Sequence, residues 1–157
     1  MAFAIEEQTS EWIAAAPTRV EIAFDVQAPP ESVFSVLSDD VSWPVWYAGV
    51  RSVRLTNGAV GEGATRSVWF RAARVDERVL LYEEPCRIVY AGVSSNVPGL
   101  KSVVTDWRIV PLGAGCSRLT VAVGLECSGP LRLVPWLVRL ALGRATRGAR
   151  GIARIVG

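Results

Sequence analysis

The chain has no histidine, one lysine, one methionine and three cysteines among its 157 residues. Without imidazole there is no Ser-His-Asp or Cys-His catalysis, no histidine metal ligation and no use of the commonest general base. Cys86, Cys116 and Cys127 are odd in number and show no C-x-x-C spacing. That argues against a disulfide framework or a cysteine zinc site and fits a reducing cytoplasm. A long uncharged apolar run is also missing. The most apolar region, Leu119 to Leu142, is interrupted by Glu126, Pro130, Arg132, Pro135 and Arg139 and fails as a membrane span. Glu6 and Glu7 follow Met1 to Ile5 before any hydrophobic stretch of signal-peptide length, so a soluble, cytoplasmic protein is expected. The glycine clusters are not phosphate loops, because Gly61-Glu-Gly-Ala-Thr opens a strand and Gly113-Ala-Gly makes a hairpin. Neither a metal nor a cofactor is expected.

Half the residues are apolar and a fifth are charged, which describes one folded domain with a substantial core. The net charge of +2 hides an asymmetry. Residues 1–106 carry nine basic and fourteen acidic side chains, and residues 107–157 carry eight and one. Sixteen arginines against one lysine point to a GC-rich bacterial genome.

In chain order, residues 1–17 read as an extension in which Glu6 to Ala16 forms a short helix anchored by Trp12 and Ile13. A domain over 18–157 follows. Val20, Ile22, Phe24 and Val26 alternate with polar neighbours, the pattern of a half-buried strand. Pro30 opens a short helix with Val33, Phe34 and Leu37 on its apolar stripe. Asp39 or Asp40 caps a second, bearing Trp43, Trp46 and Tyr47. Six strands follow, broken at Asn57-Gly58, Arg71-Ala72, Glu83 to Pro85, Ser95 to Gly99 and Gly113 to Gly115. The last element reads as one helix from Pro130 to about Val156. Val134, Leu137, Val138, Ala141, Ala145, Ile152 and Ile155 form its apolar side, and arginines face the other way.

These pieces resemble the START-like (SRPBCC) superfamily, in its polyketide cyclase/dehydrase branch. The resemblance rests on Val20-Glu-Ile-Ala-Phe-Asp-Val-Gln-Ala-Pro-Pro-Glu-Ser-Val-Phe, Asp40-Val-Ser-Trp-Pro-Val-Trp, Gly61-Glu-Gly-Ala-Thr, Asp106-Trp-Arg-Ile-Val-Pro-Leu, Cys116-Ser-Arg-Leu-Thr and the helix beginning Gly129-Pro-Leu. It implies an α+β helix-grip fold: a curved antiparallel seven-stranded sheet around a long C-terminal helix, with two short helices after the first strand. It also implies a cup for lipids, polyketides or other apolar molecules, with some members acting as cyclases or dehydratases. The absence of histidine separates this chain from the iron-binding Rieske-oxygenase relatives.

Three functions stay open. The first is binding of a small apolar, aromatic or lipid-like molecule between sheet and helix. Trp43, Trp46, Tyr47, Trp69, Tyr90, Trp107, Val134, Leu137, Val138 and Ala141 are the expected lining. The second is a cyclase- or dehydratase-like enzyme, with Asp106, Arg108 and Tyr90 as the weak catalytic candidates. The third is a protein- or membrane-surface module using the basic last helix. No nucleic-acid motif accompanies the arginines, which argues against a nucleic-acid partner. Pro135, five residues into the last helix, removes a backbone hydrogen bond, so either the helix kinks there or its first turn is separate and the main body begins at Pro135. Both outcomes place Leu133, Val134 and Trp136 on an adjustable segment expected to gate the cavity.

Overall fold

The computed structural model describes residues 1–157. Its strands are β1 (Phe3–Ala4), β2 (Thr18–Val26), β3 (Val50–Leu55), β4 (Thr65–Phe70), β5 (Arg74–Glu83), β6 (Arg87–Ser95), β7 (Leu100–Gly113) and β8 (Cys116–Cys127). Its helices are α1 (Pro30–Ser38), α2 (Trp43–Trp46), α3 (Pro135–Arg147) and α4 (Ala153–Val156). Short 3-10 turns occupy Glu11–Ala15, Asp40–Ser42, Gly129–Leu133 and Gly148–Ile152.

Strands β2 to β8 form one antiparallel sheet in the order β2-β8-β7-β6-β5-β4-β3. The first strand therefore pairs with the last, and α1 and α2 cross to the opposite edge. This is the α+β helix-grip architecture implied by the sequence. Register shifts between Asp76 and Glu77 and between Val79 and Leu81 interrupt the β5–β6 ladder, and such bulges increase bend and twist. The concave side holds the main core, in which Val26, Phe34, Leu37, Trp107, Leu119 and Ile152 are almost wholly buried. No helix is long and apolar enough to cross a membrane.

The N-terminal residues take part in the sheet. β1 pairs with the end of β6, and the Ile5 and Glu6 amides donate to the carbonyls of Val93 and Lys101. β6 and β7 pair only from Arg87 to Ala91 and from Val104 to Arg108, so this segment bridges the strands where they splay apart. Ile13 is buried on the convex face with Val89, Ala91, Val104 and Ala122, a second small core. The expected helix over Glu6 to Ala16 is thus a 3-10 turn over Glu11–Ala15, preceded by an unexpected strand.

The C-terminal element differs from the expected single helix. A 3-10 turn ends at Leu133, Val134 breaks the helical path at φ −126° and ψ 54°, and α3 starts at Pro135. Of the two outcomes expected at Pro135, a kink or a separate first turn, the second holds: proline costs nothing at a first helical position, where no intrahelical N–H bond is due, and α3 begins there. The side of α3 that turns inward is also not the expected one. Gly143, Thr146, Ala149, Gly151 and Ile152 are buried and Val138 and Leu142 half-buried, whereas Leu137, Ala141, Ala145 and Ile155 are exposed.

Candidate functional site

Within β4 the alternation Ala64, Arg66, Val68 puts an arginine at an inward position. Arg66 is 2% exposed. Its Nε donates to Glu77 Oε2 at 3.0 Å, a second guanidinium nitrogen pairs with the same oxygen, and Nη1 donates to Asp40 Oδ1. The guanidinium carbon also stands 3.7 Å from the centroid of the Tyr90 ring and 4.1 Å from that of Trp43. Two carboxylates and two aromatic faces therefore surround one buried cation. The elements involved are β4, β5, β6 and the turn entering α2.

This environment shifts the titrating groups. Burial raises the Glu77 carboxyl above its ordinary range, and Arg66 offsets this only in part. Burial also pushes the Tyr90 and Tyr47 phenols well above their usual value, so both are neutral donors. For Arg66, burial alone favours loss of charge, but Tyr90, Glu77 and Asp40 outweigh it and hold the cation.

A cavity of about 70 Å³ lies beside this group. Arg66, Asp40, Tyr90 and Tyr82 form its polar side, and Leu55, Ala59, Ala64 and Val79 its apolar side. The loop over residues 57–63 covers it. Asn57 ties that loop together: its Oδ1 accepts from the Ala59 and Thr65 amides while its Nδ2 donates to the Gly63 carbonyl. Ligand pockets generally measure about 300–1,000 Å³, so in this conformation the cup is mostly filled.

Aromatic rings do the filling. Trp43, Trp46, Tyr47 and Trp107 are all buried, and Trp107 meets the other three edge-on at centroid distances of 5.5, 6.1 and 6.0 Å. Trp43 Nε1 donates to the Leu37 carbonyl, and Trp46 Nε1 donates to Ser42 Oγ. Trp107 Nε1 has no partner. An unmet buried donor of this kind costs about 1–3 kcal/mol.

Of the residues expected to line a cavity, Tyr90 does so, while the aromatic group Trp43, Trp46, Tyr47 and Trp107 forms the adjoining core. Trp69 lies on the outside, partly covered by the Arg74 guanidinium at 5.3 Å. Val134 and Val138 are half-buried, Leu137 and Ala141 face solvent, and none of the four borders the cavity. Leu133 and Trp136 are exposed and also lie off the cavity, so the expected gate does not stand at its mouth. Asp106 and Arg108 occupy the convex face. Asp106 is buried there between Arg87 and Arg108, which both donate to it. Arg66, Glu77 and Asp40 were missed by the sequence reading. The available signal was a charged residue at the inward phase of two neighbouring strands, Arg66 between Ala64 and Val68 and Glu77 between Val75 and Val79.

The family described as "Polyketide cyclase / dehydrase and lipid transport" matches residues 17–157. No curated protein matches the chain. Among solved structures, a START superfamily protein from Mycobacterium smegmatis is 18% identical, with a TM-score of 0.70 over 88% of this chain and 99% of that one. The Zhui aromatase/cyclase from Streptomyces is 17% identical, with a TM-score of 0.72 over 88% and 92%. A hypothetical protein from Helicobacter pylori is 13% identical, with a TM-score of 0.78 over 99% and 97%, a likeness that takes in the N-terminal residues. At these identities the structures establish the fold alone. With the family match spanning nearly the whole chain, the protein belongs to the polyketide cyclase/dehydrase and lipid transport family.

Proposed function

We propose that the chain binds a small apolar or aromatic molecule bearing at least one acceptor oxygen, in the cup beside Arg66. The observation that carries this reading is the buried guanidinium at the wall of the cavity. Taking a cation out of water costs several kcal/mol unless it is fully paired, yet Arg66 has more N–H donors than Glu77 and Asp40 engage. A carbonyl or enolate oxygen arriving on the cavity side would meet those donors, while Val79, Leu55 and Ala64 would take the apolar body. The cavity must enlarge for anything bigger than a few atoms, and the loop over residues 57–63 is the element that covers it.

A second reading makes the same site an enzyme of the cyclase or dehydratase kind. It is favoured by Glu77, a carboxyl that burial pushes above its ordinary value and that lies against the Arg66 guanidinium. Arg66 would polarise a carbonyl, and the neutral Tyr90 phenol would supply a second donor. No other part of the concave face brings titratable groups together in this way.

The test is native mass spectrometry of gently purified protein, followed by organic extraction of whatever is bound. A co-purified apolar molecule, lost in Arg66→Lys, supports binding at this site; its conversion on incubation selects the enzyme. An apo mass together with no change in melting temperature across a diverse apolar and aromatic library would overturn both readings.

A further inference from the structure

The N-terminal half of α3 and the turn before it present an unusual surface. Leu133, Trp136, Leu137 and Leu140 are 82%, 67%, 45% and 41% exposed. The opposite side of the helix, through Val138, Leu142 and Thr146, turns toward the protein. At about 100° per residue, Arg144 and Arg147 fall on the same solvent side as Leu137 and Leu140, one to two turns further along. The exposed stripe is thus apolar at one end and cationic at the other, with Arg132 and Arg139 at its flank.

The charges of this region are unopposed. Glu126 is the last acidic residue of the sequence, and Arg132, Arg139, Arg144, Arg147, Arg150 and Arg154 follow it. None of the six pairs with a carboxylate, although seven of the ten earlier arginines do. A fold that wanted these arginines for its own stability would supply them with partners. They are complementary instead to an extended anionic surface outside the molecule.

We propose that α3 docks on an anionic lipid bilayer, with Leu133, Trp136, Leu137 and Leu140 entering the boundary between headgroups and acyl chains. Arg144 and Arg147, about 6–10 Å along the axis from Leu140, would then reach lipid phosphates with their long side chains. Tryptophan suits that boundary because its ring is apolar and its N–H needs a polar partner. The apolar residues supply area and the arginines supply preference for negative lipid, the two components of interfacial helix binding. A water-soluble acidic protein would match the charges without needing four exposed apolar side chains. This inference is independent of any ligand in the cup.

The experiment compares sedimentation with vesicles of phosphatidylcholine alone and with vesicles containing about one third phosphatidylglycerol, alongside tryptophan emission. Wild-type protein is expected to sediment with the anionic vesicles and not with the neutral ones, and to shift its emission to the blue. The Trp136→Ser/Leu140→Ser variant should lose both effects with an unchanged melting temperature. The Arg139→Gln/Arg144→Gln/Arg147→Gln variant should bind roughly a hundredfold more weakly, since each cation near an anionic surface is worth about fivefold. Failure to bind anionic vesicles, or equal binding to both kinds, overturns the proposal. So does a concentration-dependent dimer in ultracentrifugation that Trp136→Ser/Leu140→Ser abolishes, because that face would then belong to a second copy of the chain.

Discussion

The backbone of Gly151 lies against the carbonyl oxygen of Trp46, so close that a Cβ at Gly151 would lie far inside van der Waals contact with that oxygen. One helical turn earlier, a Cβ on Gly148 would stand 2.5 Å from the Ala48 carbonyl oxygen and 3.1 Å from the Tyr47 ring. These two glycines let the C-terminal element close over the aromatic cluster. They are what seats the end of the chain on α2 and the residues just after it.

Gly151→Ala should therefore be destabilising, although alanine ordinarily favours a helix. The methyl group cannot be absorbed by a flexible side chain, because the atom it meets belongs to the backbone. Overpacking of this kind costs about 1–3 kcal/mol. Urea denaturation of the variant should show that loss, and a stability equal to wild type would mean that the segment is free to lift off Trp46.

Removing the Arg66 cation should be worse. Arg66→Met leaves Glu77 and Asp40 facing each other without a counter-ion, and breaking a buried pair from one side costs about 3–5 kcal/mol. Arg66→Lys keeps the charge but not the fork that reaches both carboxylates, so it should fall between wild type and Arg66→Met. The ordering of the three midpoints in chemical denaturation is the test, and indistinguishable variants would show that the network does not hold the sheet.

Glu77 gives stability a definite pH dependence. Burial raises its pKa in the folded state, so the folded protein binds that proton more tightly than the unfolded chain does. The resulting stabilisation is fully present below the unfolded value, about 4.3, and is lost as pH rises through the folded value. In Glu77→Gln this dependence disappears. The stability of wild type relative to Glu77→Gln should accordingly decline as pH rises above about 4. A difference that grows with pH would show that Arg66, rather than burial, governs the carboxyl.

Much of the fold was legible because strands with one buried face write their period into the chain. Val20, Ile22, Phe24 and Val26 mark β2, and Asn57-Gly58 ends β3 close to where the sequence indicated. The short helices announced themselves through Pro30 and the Asp39–Asp40 pair. The helix after β8 was harder. Its sequence is apolar on more than one side, so periodicity alone does not say which side packs inward, and the packing puts Val138, Leu142 and Thr146 there in place of Leu137, Ala141 and Ala145. The Arg66 group was hidden for another reason. Arg66, Glu77 and Asp40 lie on separate elements, and only pairing of β4 with β5 sets Arg66 opposite Glu77. Each residue alone reads as an ordinary surface charge.

The N-terminal segment read only as an extension anchored by Trp12 and Ile13, and the structure gives it a specific task. Ile13 is 3% exposed and covers Val89, Ala91, Val104 and Ala122 on the convex face. Gly124 of β8 makes room for it, since a Cβ there would stand 2.8 Å from the Ala16 Cβ and 3.0 Å from Ile13 Cγ1. Ile13→Ala should cost about 2–5 kcal/mol, the usual range for emptying a buried isoleucine site. Deletion of residues 1–16 should cost at least as much, because it also uncovers the splayed ends of β6 and β7 and leaves the Val93 and Lys101 carbonyls to water. Gly124→Val should mimic part of the loss by pushing the 3-10 turn off the sheet. Urea midpoints of the three variants decide the matter. If the deletion matched wild type within about 0.5 kcal/mol, the range of an inconsequential surface change, residues 1–17 would be an appendage and the domain would stand on 18–157 alone.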